Sequence, residues 1–255
     1  MSIVDLFRLD GRVALVTGTS RGIGQAFALA LAEAGADVAL LDRSEPGQTR
    51  AGVEAAGRRA LWLPCDLGQA TPADLQAAVS TVVSELGGLD VLVNNAGTIR
   101  RACAADYPAT DWDDVLTVNL DAVFHLTQAA GRVMLAAGRG RVINVASMLS
   151  FQGGIRVPAY TAAKHAVLGL TRAFANEWAG SGVNVNAIAP GYIATDNTAP
   201  LRADTDRARS IVERIPAGRW GTPADLQGTV VFLASDAAAY IHGAVVPVDG
   251  GWLAR

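Results

Sequence analysis

The sequence predicts an α/β protein: one domain, residues 1–255, built on a doubly wound parallel sheet of about seven strands. Two observations carry this. Short apolar runs rich in β-branched residues alternate with Ala- and Leu-rich helical stretches along the whole chain. A glycine-rich turn, Gly18 to Gly24, joins the first such run to the first helical stretch. No linker or low-complexity segment interrupts the alternation, so a single domain is expected.

Composition narrows the class. Hydrophobic residues make up 51% of the chain and charged residues 18%, which excludes a disordered protein. A net charge of -3 argues against nucleic acid as a main partner. No apolar stretch is long enough to span a membrane, and Asp5, Arg8, Asp10 and Arg12 leave no secretory segment within Met1 to Arg12. Cys65 and Cys103 form no disulfide framework, and two reduced thiols fit a cytoplasmic protein. His125, His165 and His242 have no metal-ligand spacing, so no metal is expected.

The first strand is Val13–Thr17. In the turn that follows, glycines at 18, 22 and 24 let backbone N–H groups approach a pyrophosphate at a helix N-terminus. Gln25 to Ala34 then forms a helix that stops at Gly35. Asp37–Asp42 is the second strand. Asp42 lies 18 residues after Gly24, where an acid accepts from the ribose hydroxyls of NAD and repels the 2′-phosphate of NADP. Arg21 and Arg43 pull the other way, since either can pair with a phosphate. The expected cofactor is NAD, with NADP second.

Arg59 to Cys65 is the third strand, and Asp66-Leu67 at its end can meet an adenine. Thr71-Pro72-Ala73-Asp74 opens a helix that runs to Leu86. Leu89–Val93 is the fourth strand, followed by Asn94-Asn95-Ala96-Gly97, where small residues admit a cofactor and Asn amides tie backbone together. One long helix is expected over residues 111–137, with Asn119 poorly suited to its interior and so hinting at a role. Arg141–Val145 is the fifth strand and delivers Ser147. The next helix runs to Ala179, Val183–Ala189 is the sixth strand, and Pro190-Gly191 closes it. Residues 192–220 break the alternation and read as a substrate lid. A helix from Thr222 to Leu233, a strand at Val245–Val248 and a short tail complete the chain.

Right-handed crossovers put all strand C-termini on one edge, so Gly18, Asp42, Asn94, Ser147 and Pro190 converge on one cleft. Tyr160 and Lys164 share a helix face next to it. A phenol is a poor base at neutral pH, but a neighbouring ammonium favours the phenolate and makes Tyr160 a candidate general acid/base. Ser147 is placed to hydrogen-bond a substrate oxygen.

Thr17-Gly18-x-x-x-Gly22-x-Gly24, Asn94-Asn95-Ala96-Gly97, Asn119, Ser147, Tyr160-x-x-x-Lys164 and Pro190-Gly191 together resemble the short-chain dehydrogenase/reductase family over essentially the whole chain. Residues 146–158, 214–221 and 249–255 are similar to one branch, the 2-dehydro-3-deoxy-D-gluconate 5-dehydrogenases, also labelled 2-deoxy-D-gluconate 3-dehydrogenases. The turn with Ser20-Arg21 looks more like the generic family turn. The resemblance implies a Rossmann-type fold and an NAD(P)-dependent exchange of a secondary alcohol and a ketone on a sugar acid. Such an acidic substrate would require a cation: Arg156, between Ser147 and Tyr160, is the first candidate, and Arg100 and Arg101 come next. Tyr160 would be the acid/base, with Lys164 lowering its pKa and holding the nicotinamide ribose. Ser147 would position the reacting oxygen, and Asn119 would hold a relay water. Ser20, Arg21, Ile23, Ala96 and Gly97 would line the cofactor site, with Ile193 and Thr195 at the carboxamide. A homotetramer is implied, packed through the helices around 111–137 and 159–179 and the C-terminal strand, with Trp252-Leu253 as an apolar contact. Two other readings stay open: an NADPH-dependent 3-oxoacyl carrier-protein or generic ketone reductase, and a non-catalytic dinucleotide-binding regulator.

Overall fold

Each strand is followed by a helical crossover that returns the chain to the same end of the sheet, so the strands can only pair in parallel. A computed structural model describes residues 2–255; Met1, the first residue of the N-terminal stretch discussed above, lies outside the described residues. The elements are β1 Val13–Thr17, α1 Gly22–Glu33, β2 Asp37–Asp42, α2 Gly47–Ala55, β3 Ala60–Pro64, α3 Pro72–Leu86, β4 Val91–Asn94, α4 Ala109–Leu116 and α5 Ala122–Ala137. Then come β5 Gly140–Val145, α6 Pro158–Trp178, β6 Val183–Pro190, α7 Ala199–Ala203, α8 Thr205–Arg214, α9 Gln227–Ala234 and β7 Val245–Val248. The sheet order is β3-β2-β1-β4-β5-β6-β7, and every pairing is parallel.

The strands read as continuous apolar runs because both sheet faces are covered. Alternate residues divide between two cores. Ala14, Val16, Val38, Leu40, Val91 and Val93 pack with Phe27 and Leu31 of α1 and Val230 and Leu233 of α9. Val13, Leu15, Ala39, Leu41 and Leu92 pack with Leu75, Val79 and Val82 of α3 and Leu126, Ala130 and Met134 of α5. The strand order reverses between β1 and β4, and open α/β sheets bind ligands beyond the strand ends at such a reversal.

Four expectations need correction. Helix α1 starts at Gly22 rather than Gln25, so Gly22 and Gly24 belong to its first turn. Helix α2 was not foreseen, because its sequence contains two glycines, is mostly polar and buries only Thr49 and Val53. The single helix over 111–137 is two helices joined by a π turn at Thr117–Asp121, with Asn119 at its centre. The helix expected from Thr222 begins as a 3₁₀ turn, Pro223–Leu226, and becomes α-helical only at Gln227. The segment 192–220 holds a 3₁₀ turn, Asp196–Thr198, followed by α7 and α8. Among the described residues no helix is long and apolar enough to cross a membrane.

Candidate active site

The glycine turn is built by close backbone approach. A Cβ on Gly24 would stand 2.0 Å from the Gly18 carbonyl oxygen and 2.4 Å from Asn95 Nδ2. Gly18 and Gly22 have φ of +71° and +62°, a region that L side chains rarely adopt. Asn95 stitches the turn to β4: its Nδ2 donates to the carbonyls of Thr17, 2.9 Å, and Gly18, 3.2 Å. The Thr17 hydroxyl accepts from the N–H groups of Asn95 and Ala96. Gly18 in turn packs on Ala96. Ile23 points into the core beneath, and α1 has no acidic residue in its first turn, so its N-terminus stays electropositive. A pyrophosphate fits such a cradle: side-chain-free backbone at a helix N-terminus.

Asp42 stands at the end of β2, and its Oδ2 accepts from both the N–H and the hydroxyl of Ser20, each at 2.8 Å. Arg21 and Arg43 lie nearby with exposed side chains, Arg21 3.2 Å from Asp196 and Arg43 4.0 Å from Asp66. Asp66 caps its own turn through the Gly68 N–H, and Leu67 is buried in the core. Asn94 is buried too, its amide donating to Thr127 Oγ1 and Asn144 Oδ1, so that this side chain is engaged inside the protein.

On the other side of β4 in the sheet, Ser147 follows β5 and Tyr160 sits in the first turn of α6. Ser147 Oγ accepts from the Leu149 N–H at 3.1 Å, and its own N–H donates to Ser150 Oγ. Ser150, which the sequence reading missed, also donates to the Lys164 carbonyl at 2.7 Å and so ties the loop to α6. The Ser-x-x-Ser spacing was the available signal, since it matches a capping box. Lys164 is 3% exposed; its ammonium lies 5.7 Å from the Tyr160 ring centroid and donates to the Val145 carbonyl at 2.6 Å. Burial lowers the Lys164 pKa to about 8. Tyr160 is half-buried, and desolvation raises its phenol above the ordinary value. The Ser147 hydroxyl and the charge of Arg101 oppose that rise. The direction reverses the sequence expectation of a lowered phenol: removal from water outweighs the neighbouring groups, and the ammonium is turned toward a backbone carbonyl.

Asn119 is fully buried, and its amide pairs with Thr98 in both directions, Nδ2 to the carbonyl and Oδ1 from the N–H, each at 2.8 Å. Gly97 passes close enough that a Cβ would lie 3.3 Å from Asn119 Oδ1. Of the candidate cations, Arg100 is engaged by Asp111 and Asp114 of α4, and Arg156 is exposed in a left-handed conformation at φ +65°. Arg101 reaches the Asn197 carbonyl at 3.5 Å, and its charge is felt at Tyr160. Beyond β6, Gly191 lies against the backbone of Asp249, Ile193 bridges to Gly221, and the Thr195 methyl group approaches Gly22. Pro190 remains in β6, paired with Val248. Trp252, expected as a contact between subunits, is buried within its own chain against Met148, Ile211 and Ile215. Among the described residues no cluster of three or more His, Cys, Asp or Glu stands close enough to hold a metal ion.

The geometry can be set beside known proteins. A family profile described as "Enoyl-(Acyl carrier protein) reductase" matches residues 18–253. The chain is 53% identical to the 2-dehydro-3-deoxy-D-gluconate 5-dehydrogenase of Escherichia coli (strain K12), over 99% of this chain and 100% of that one. A solved structure from Agrobacterium tumefaciens, provisionally named a 2-deoxy-D-gluconate 3-dehydrogenase and holding NADP, matches with TM-score 0.92 and 54% identity over 98% of this chain and 99% of that one. The gluconate 5-dehydrogenase of Burkholderia cenocepacia J2315, in complex with NADP and tartrate, matches with TM-score 0.95 and 38% identity over the full length of both. With its seven-stranded Rossmann-type sheet and full-length matches, the chain belongs to the short-chain dehydrogenase/reductase family and is an oxidoreductase.

Proposed function

We propose that the protein interconverts a secondary alcohol and a ketone on a sugar acid of the 2-dehydro-3-deoxygluconate or 2-deoxygluconate type, with Tyr160 as acid/base. The observation that carries the reading is the placement of Ser147 and the Arg101 charge toward the phenol of Tyr160, with the Lys164 ammonium 5.7 Å from its ring centroid, beside a turn shaped for a dinucleotide. The names of the relatives support the substrate class. A bound NAD(P) supplies or accepts the hydride. The Ser147 hydroxyl holds the reacting oxygen, and Tyr160 gives it a proton in reduction or takes one in oxidation. Lys164 would hold the nicotinamide ribose and Gly18, Gly22 and Gly24 the pyrophosphate. Asn119 holds the loop at Thr98 in shape, and its remaining amide hydrogen serves a relay water. Arg101 takes the substrate carboxylate in preference to Arg156 and Arg100. Tyr160→Phe is expected to lower turnover at least a hundred- to ten-thousand-fold while the cofactor still binds; retained turnover would refute the acid/base role.

NAD was the expected cofactor because of Asp42. Two observations support use of NADP as well: relatives hold NADP, and Ser20 already occupies one oxygen of the Asp42 carboxylate between two exposed arginines. Asp42→Ala is expected to raise NADP use relative to NAD, read as the ratio of kcat/KM values. We also propose residues 192–220 as a substrate lid and a homotetrameric assembly, testable by light scattering in solution. Two free cysteines suit a reducing cytoplasm.

A further inference from the structure

The last seven residues are woven into the site rather than trailing from it. Asp249 accepts from the N–H groups of Gly251 and Leu253, each at 2.9 Å, and the Gly250 carbonyl accepts from Ala217. Gly250 and Gly251 take φ of +65° and +90°, and a Cβ on either would strike Ile215 or Pro216. This bend inserts Trp252 between two pieces of chain. On one side is Met148, in the loop that follows Ser147; on the other are Ile211 and Ile215 at the end of the proposed lid. Trp252 is 6% exposed, its ring meets Tyr192 edge-on with centroids 4.8 Å apart, and the Arg214 guanidinium lies 4.0 Å from the ring centroid. Its indole N–H donates to Gln152 Oε1 at 2.9 Å.

We infer that Trp252 is a positioning residue for the substrate: it fixes the spacing between the Ser147 loop and the segment 192–220, and so sets the width of the pocket beyond the reacting carbon. The inference rests on the sugar-acid dehydrogenase reading. The reacting groups are anchored without the tail. Lys164 is held by Val145, and Ser150 ties the Ser147 loop to α6. The glycine turn is held by Asn95 and Thr17. Loosening the tail therefore separates substrate binding from both chemistry and cofactor binding.

The test pairs Trp252→Phe, which keeps an aromatic ring in place but removes the N–H, with Gln152→Leu and the double variant. Each is assayed with 2-dehydro-3-deoxygluconate and with a three-carbon hydroxyketone. NADPH affinity is followed by fluorescence, and backbone amide exchange is mapped along the chain. Either single variant is expected to raise KM for the sugar acid about three- to tenfold, the scale of one hydrogen bond. Turnover, NADPH affinity and hydroxyketone kinetics stay unchanged, and the double variant is no worse than the singles. Amides of residues 148–156 and 205–215 exchange faster together, while those of α1 do not change. Unchanged KM with unchanged exchange overturns the inference, as does a parallel loss of turnover and NADPH affinity. The exchange result stands by itself: a wild-type protein that reduces the hydroxyketone but no sugar acid overturns the substrate reading alone.

Discussion

Lys164 carries an electrostatic cost in the cleft: a side chain 3% exposed, with a backbone carbonyl as its hydrogen-bond partner. Its pKa of about 8 lies below the ordinary 10.5, so folding disfavours the charged form. The sign of the pH effect follows. Below pH 8 the lysine is protonated in both folded and unfolded chains, and the cost is present in full. As pH rises from about 8 toward 10.5, the folded protein releases its proton first and the cost is relieved, by about 3 kcal/mol. Denaturant titrations at intervals from pH 7 to 10 are expected to show Lys164→Met losing its stability advantage over wild type across that window. A difference independent of pH would show that the ammonium is solvated. Arg101 is the other charge that matters, since it opposes the burial-driven rise of the Tyr160 pKa. Arg101→Met is expected to move the pH limb of alcohol oxidation to higher pH, because the phenol then ionises later. A limb that stays in place, or moves to lower pH, would remove Arg101 from the electrostatics of the site.

At the level of elements, the helix pair α5 and α6 shows what a glycine without positive φ is for. A Cβ on Gly131 of α5 would lie 2.4 Å from the edge of the Trp178 indole on α6, a rigid group that cannot swing aside. Gly131→Ala is expected to destabilise the protein by about 1–3 kcal/mol through overpacking, read as a lower Tm with cofactor affinity unchanged. A stabilised variant would mean that the two helices slide freely. The same region shows where sequence reasoning ran out. Asn119 was conspicuous as a poor helix residue, but periodicity could not reveal that the helix expands into a π turn there, because 3.6- and 4.4-residue turns differ too little over five positions. Helix α2 was invisible for the opposite reason: it buries so little that it leaves no apolar stripe to read. The glycine turn and the Tyr160–Lys164 pair were legible because each rests on local spacing. The surroundings of Arg100 and Arg101 were not, since they depend on Asp111, Asp114 and Asn197 from other elements.

Over the whole molecule, β1 and β4 contribute residues to both cores, so a ligand bound beyond their ends would be coupled to the entire fold. The parallel sheet was readable from alternation alone, because strands buried on both faces are apolar at most positions. The proposed lid was read only as a break in that pattern, and its two helices are held chiefly through the small cluster around Ile211, Ile215 and Trp252. These two kinds of structure should part company on heating. NADP at about a hundredfold its Kd adds about 2.7 kcal/mol to the state that binds it, and a domain of this size gains about 2–4 °C per kcal/mol. A single calorimetric transition shifted upward by roughly 5–10 °C is expected if the lid and the sheet unfold as one unit. If residues 192–220 melt first, fluorescence from Trp220 and Trp252 would change at a lower temperature than far-UV circular dichroism. NADP would then raise only the upper transition. Coincident curves from the two probes, with and without NADP, would make the lid part of the cooperative fold and leave its motion to a hinge rather than to local unfolding.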